Sequence, residues 1–141
     1  MALLNIKNRM LRSVALRKGE VVLRDDFKNM GSPSQISRGL KELLTAGRLI
    51  RLGYGVYAKA RPSSISGKPV PRAPLEVLAR ETLGRLKVDT QLGQAQAAYA
   101  RGDTTQIPMK TTFNTGQRRI SRKITVGSRS VQYENDYSPR A

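Results

Sequence analysis

The stretch that most constrains this chain is residues 32–58, SPSQISRGLKELLTAGRLIRLGYGVYA. Ser32 is a good N-cap, Pro33 suits the first helical position, and Gln35 stands where a capping box takes Glu or Gln. Ile36, Leu40, Leu43 and Leu44 recur at i, i+4, i+7 and i+8, which is one apolar stripe of an α-helix. Gly47 then provides a left-handed C-terminal cap, so the helix is expected to stop near Ala46. A short apolar run follows over residues 49–52, then Gly53-Tyr54-Gly55 and Val56-Tyr57-Ala58, the pattern of a β-hairpin with a glycine-flanked turn. The far side of the helix carries Ser34, Gln35, Ser37, Arg38, Lys41 and Thr45, side chains able to donate to phosphates and base edges. A basic-faced helix feeding a hairpin predicts the recognition helix and wing of a winged helix-turn-helix. The plainer alternative is a helix packed on a hairpin in some other small α+β domain.

The residues upstream favour the first reading. Leu3, Ile6, Met10 and Val14 space as a helix over residues 3–18, closed by Gly19, with Lys7, Arg9, Arg12 and Arg17 on an outer face that reads as simply solvated. Val21-Val22-Leu23 is a β-prone run that could pair with the hairpin. Asp25-Asp26 should start a second short helix, with Phe27 and Met30 turned inward and Gly31 ending it. Gly31-Ser32 is then the tight connection of a helix-turn-helix.

Charge says what kind of partner such a module would take. The 141 residues hold 26 Lys and Arg against 10 Asp and Glu, a formal +16, with a sequence pI near 11.1. That excess points to a polyanion, and nucleic acid fits it best. A membrane surface would call for a basic amphipathic helix with a bulky apolar face, or a lipid anchor, and neither is present. The N-terminus lacks the pattern of a signal peptide, and no apolar run reaches membrane-spanning length, so a cytoplasmic protein is expected. With no cysteine and no histidine, the usual zinc sites, the commonest general base and the commonest catalytic triads are absent. Asp25-Asp26 reads as a helix cap rather than a metal pair, and Gly53-Tyr54-Gly55 lacks the context of a phosphate loop. No catalytic residue, metal or cofactor is expected, and the chain reads as a non-enzyme.

The runs LRDDFKNMGS and ISRGLKELLTAGRLIRLGYGVYAKA resemble the AbiEi-like antitoxins of type IV toxin–antitoxin (abortive infection) systems. The resemblance is close over residues 15–75 and looser in SGKPVP and RRISRKITVGSRSVQYE. It implies a winged-helix DNA binder that represses its own operon and opposes a nucleotidyltransferase-like toxin encoded beside it. Regulators with the same head and no toxin partner also exist. The residues themselves leave two further classes open: a structured-RNA-binding protein, and a basic protein-interaction module that docks an acidic partner.

The rest of the chain divides by composition. Residues 59–74 carry four prolines among Ser, Gly and basic residues, and read as a linker. Leu75, Leu78, Ala79, Leu83 and Leu86 then form a helical stripe, broken at Val88-Asp89-Thr90, and residues 92–100 read as a short helix ended by Gly102. From Thr104 the pattern turns to β, with strands expected at residues 106–108, 111–113, 120–126 and 130–133 and turns at Asn114-Thr115-Gly116 and Gly127-Ser128. Arg122 falls on the apolar parity of the strand at 120–126, so a bulge or an exposed edge is expected there. Residues 134–141 look frayed.

The expected fold is therefore α+β: an N-terminal winged helix-turn-helix at 1–58, a basic linker at 59–74, and a small helical and β-hairpin region at 75–141. That last region is the candidate for dimerisation, as a homodimer, or for docking a partner. The expected DNA contacts are Ser34, Gln35, Ser37, Arg38, Lys41, Arg51 and Tyr54. Further phosphate contacts fall on Arg61, Lys68, Arg72, Arg118, Arg119, Arg122 and Lys123.

Overall fold

Helix α2, Pro33–Thr45, forms as its sequence directs. Ser32 Oγ accepts from the Gln35 N–H at 3.2 Å, and Gln35 Oε1 accepts from the Ser32 N–H at 2.8 Å, so the capping box closes in both directions. At the other end Gly47 takes φ +74°, its N–H donates to Leu44 O at 3.1 Å, and Arg48 N–H donates to Leu43 O at 3.0 Å. Those two bonds are the Schellman motif, which satisfies carbonyls the helix leaves over. Ile36, Leu40 and Leu43 are buried and Leu44 is half-buried, as the stripe requires.

The computed structural model describes residues 5–106, 111–116 and 118–135. Leu3, Ile107-Pro108 and residues 136–141, for which a helix start, a strand and a frayed end are expected, lie outside the described residues. The protein is mixed α+β and divides into two units, Met1–Pro74 and Leu75–Ala141. No helix among the described residues is long and apolar enough to cross a membrane.

In the first unit α1 spans Ile6–Leu16, capped by Asn5, whose side chain accepts from Asn8 N–H at 2.8 Å. Strand β1 is Val21–Leu23. The helix expected after it is a single 3-10 turn, Arg24–Phe27, held by i→i+3 bonds from Lys28 to Asp25 and from Met30 to Phe27. It has too few residues before Ser32 opens α2 to repay the cost of starting an α-helix. Asp26 accepts from Leu23 N–H at 2.9 Å and pairs with Arg17 at 3.3 Å, so Asp26 serves as a local cap, while the Asp25 carboxylate pairs with Lys28. Phe27 is wholly buried.

Strands β2, Leu49–Gly53, and β3, Val56–Pro62, form the hairpin, with a bulge between Arg51 and Gly53 and Tyr54-Gly55 at the tip. The sheet order is β1-β3-β2, antiparallel throughout, with Val22 opposite Tyr57. The core joins Met10, Val14, Val22, Phe27, Ile36, Leu40, Leu43, Leu49 and Tyr57, so both helices, the 3-10 turn and the sheet share it.

The linker expected at 59–74 is instead part of this unit. Strand β3 continues through Pro62, and β4, Pro69–Pro71, pairs back on it with Ala60 opposite Pro71. The exchange of partners happens at Lys59, whose N–H donates to Glu20 O at 2.9 Å while its carbonyl accepts from Arg72 N–H at 3.4 Å. Lys59 itself is buried, and its Nζ donates to Arg17 O at the end of α1. Prolines at both ends of β4 suit a short edge strand, because such a strand need not donate from every residue. Composition pointed to a spacer; pairing made it a second hairpin.

In the second unit α3, Leu75–Arg85, buries Leu75, Leu78, Ala79, Thr82 and Leu83. It ends in the same Schellman pattern as α2, Val88 N–H to Leu83 O at 2.8 Å, but with Lys87 in the left-handed position at φ +62°. Strand β5 is Gln91–Leu92, and α4 is Gln94–Ala100. The sequence placed Leu92 in that helix; Gly93 caps it instead, and a Glu134 carboxylate oxygen accepts from Gln94 N–H at its first turn. Strand β6, Thr112–Asn114, lies between β5 and the parallel β9, Gln132–Glu134. Only Thr125–Val126, here β7, is paired within the strand expected at 120–126; it forms a small hairpin with β8, Arg129–Ser130, across the expected Gly127-Ser128 turn. Upstream, at Arg122, where a bulge or an exposed edge is expected, the backbone lies outside the strand and the carbonyl accepts from the Tyr133 hydroxyl at 2.7 Å.

Candidate nucleic-acid interface

Packing of α1 on α2 decides what the exposed side of α2 offers. The two helices meet at Gly39, where an added Cβ would stand 2.4 Å from Met10 Sδ and 3.7 Å from Ile6 Cγ1. That close approach brings the first turn of α1 beside the middle of α2. A shallow groove results, lined by Lys7 from α1 and by Arg38, Lys41, Glu42, Thr45 and Ala46 from α2. Arg38 and Lys41, the two cations expected to contact DNA, are thus brought together and joined by Lys7. Reading α1 alone left Lys7 as a solvated charge; a glycine in the middle of an otherwise regular helix was the signal that another element comes close.

The cations of this unit sort by what already holds them. Arg17 pairs with Asp26, Lys28 with Asp25 at 3.9 Å, and Arg72 with Glu20 at 3.2 Å. Arg9 donates to Met30 O, Arg24 to Pro33 O, Arg51 to Gly53 O and Lys59 to Arg17 O. Among the described residues Lys7, Arg38 and Lys41 take part in no ion pair or side-chain hydrogen bond; the same holds for Arg12, Lys18, Arg48, Arg61 and Lys68, but of these eight only the first three line the groove. Their charge is available to a ligand.

Arg24 fixes where the hairpin tip lies. Its N–H donates to Gly55 O at 2.9 Å, and its guanidinium donates to Pro33 O at 2.9 Å, so one residue ties the tip to the first turn of α2. Tyr54 projects from that tip, 84% exposed, and Ser34 and Ser37 are exposed on α2. Tyr57 is core. Gln35 is exposed, but its side-chain oxygen is committed to the Ser32 cap.

The outlying expected contacts fall on other segments. Arg61 lies in β3, while Lys68 lies in the turn before β4, whose tip carries Ile65 at 95% exposure. Arg72 is held by Glu20. Arg118, Arg119, Arg122 and Lys123 belong to the second unit, where Arg118 donates to Lys87 O at 3.0 Å. Just after β9, Asn135 Nδ2 donates to Thr115 Oγ1, Gly116 O and Arg118 O, which ties the backbone at Arg118 in place. Among the described residues no group of three or more His, Cys, Asp or Glu side chains could hold a metal ion.

The family described as a family of unknown function, DUF6088, matches residues 7–141, nearly the whole chain. The chain belongs to the DUF6088 family. No curated protein matches the sequence. The match takes in both units of this DUF6088 protein and begins at Lys7, so the whole groove falls within it.

Proposed function

We propose that the first unit of this DUF6088 protein is a winged helix-turn-helix and that the chain is a sequence-specific, duplex-DNA-binding transcriptional regulator without catalytic activity. In this reading α2 is the recognition helix, the β2–β3 hairpin is the wing, and the 3-10 turn takes the place of the helix before the turn. The observation that carries it is the exposed side of α2. Arg38 and Lys41 stand uncommitted there, opposite buried Ile36, Leu40 and Leu43, with Tyr54 tied alongside by Arg24. The net +16 supplies the long-range attraction to a polyanion.

The resemblance to AbiEi-like antitoxins extends the proposal: an autorepressor whose second unit opposes a nucleotidyltransferase-like toxin or joins two copies of the chain. Val77, Leu92 and Tyr99 support a docking role there, since they are the exposed large apolar side chains among the described residues of that unit. The Leu75–Leu86 stripe does not, because Leu75, Leu78 and Leu83 are already buried within the chain and Leu86 is half-buried.

Binding of labelled duplex, single-stranded DNA and structured RNA, each across a salt series, tests the proposal. Duplex should win, with a log–log salt slope of roughly −4 to −8 for several phosphates neutralised at about 0.9 each. A flat salt response, or preference for structured RNA, would sink the DNA reading. Co-expression with the product of the neighbouring gene tests the toxin arm, which fails if that product is not growth-inhibitory or is unaffected by this chain.

A further inference from the structure

Resting on the DNA reading above, we infer that the backbone-phosphate clamp of this interface is carried by α1, at Lys7, and not by the segment that precedes the turn. In a helix-turn-helix the element before the recognition helix ordinarily crosses the DNA backbone and supplies phosphate contacts. Here that element is the turn Arg24–Phe27, and its chemistry is wrong for the task. It has two aspartates in its first turn, and Asp25 keeps Lys28 as its partner. Arg24 is spent on Pro33 O. A phosphate approaching this segment meets carboxylates whose neighbouring cations are already engaged.

Lys7 meets the opposite conditions. It lines one wall of the groove whose other wall holds Arg38 and Lys41, and it has no ion pair among the described residues. An ammonium on a flexible stem suits a phosphate, as a point charge that reads no base. Placed beside a helix whose other side chains reach base edges, it would fix register while Arg38 or Lys41 reads sequence. Glu42 on the same wall repels a phosphate that settles against α2 beside it and leaves the Lys7 side as the favourable seat.

The test uses the full chain and a short mixed-sequence duplex, with affinity measured across a salt series for wild type, Lys7→Gln, Lys7→Arg and Lys28→Gln. Lys7→Gln should reduce the magnitude of the salt slope by about 0.9, the loss of one phosphate contact, with thermal unfolding unchanged. Lys7→Arg should restore the slope. Lys28→Gln removes one positive charge from the segment before the turn and should leave the slope nearly as in wild type. Wild-type binding to the duplex combined with an unchanged slope in Lys7→Gln overturns the inference. Equal losses in Lys7→Gln and Lys28→Gln also overturn it, since only net charge would then matter. Wild-type protein that does not bind duplex at all instead removes the reading beneath it, and this result is distinct from the other two.

Discussion

Lys87 sits in a backbone region that suits glycine. At φ +62° it occupies the left-handed position of the cap on α3, where its side chain is exposed and its carbonyl accepts from Arg118. A residue with a Cβ loses about 1–2 kcal/mol there, while glycine gives back part of that gain through a looser unfolded chain. Lys87→Gly is therefore expected to stabilise the protein by about 0.5–1 kcal/mol in urea unfolding. A loss would mean that the lysine side chain contributes more than its backbone geometry suggests. Tyr133 gives a second test at this scale. Burial pushes its phenol above the ordinary value of 10.0, an effect that nearby Arg122 partly offsets. The unfolded chain thus gives up this proton first. The contribution of Tyr133 to stability should be intact below pH 10 and fall as pH rises through the alkaline range. Comparison with Tyr133→Phe isolates it: the mutant should lose stability less steeply above pH 10 than wild type does.

At the scale of elements, the contact of α1 with α2 depends on Gly39. Gly39→Ala gains about 1 kcal/mol of helix propensity but forces a Cβ onto the buried Met10 sulfur, and overpacking of that kind costs about 1–3 kcal/mol. A net fall in melting temperature is expected; an unchanged or raised one would show that Met10 has room to turn aside. Elements with strong local signals were legible in the sequence for the same reason that they form. Helix α2 has a cap at each end and a clean stripe, and β1 and the β2–β3 hairpin fall where β-prone runs and glycines put them. Elements defined by distant pairing were not. Strand β4 looks like a proline-rich spacer until Lys59 changes partners, and β5 is a strand only because β6 lies beside it. The candidate site divides in the same way. Arg38 and Lys41 follow from helical periodicity alone, whereas Lys7 enters only through tertiary packing, and the commitments of Gln35 and Arg72 depend on partners that periodicity does not see.

At the scale of the molecule, the first unit has a core of its own, drawn entirely from residues within it. A fragment of residues 1–74 is therefore expected to fold and to bind duplex DNA, more weakly than the full chain because the basic segment at 118–123 is gone. Domains of this size bury only about 60% of their unfolded surface, so its stability should be low. Cooperative unfolding of the fragment by circular dichroism checks this; a fragment with no transition would show that the units depend on each other to fold.

The second hairpin also changes what the join between the units can do. With Arg72 held by Glu20 and hydrogen-bonded to Lys59, and α3 starting at Leu75, the tether shrinks from the sixteen residues that composition suggested to Ala73 and Pro74. Two residues span at most about 7 Å. A linker of sixteen would be unpaired along its length; here much of that backbone belongs to the sheet of the first unit. Limited proteolysis within 59–74 should therefore fall on the turn at 63–68 or on Ala73-Pro74, and spare the paired strands.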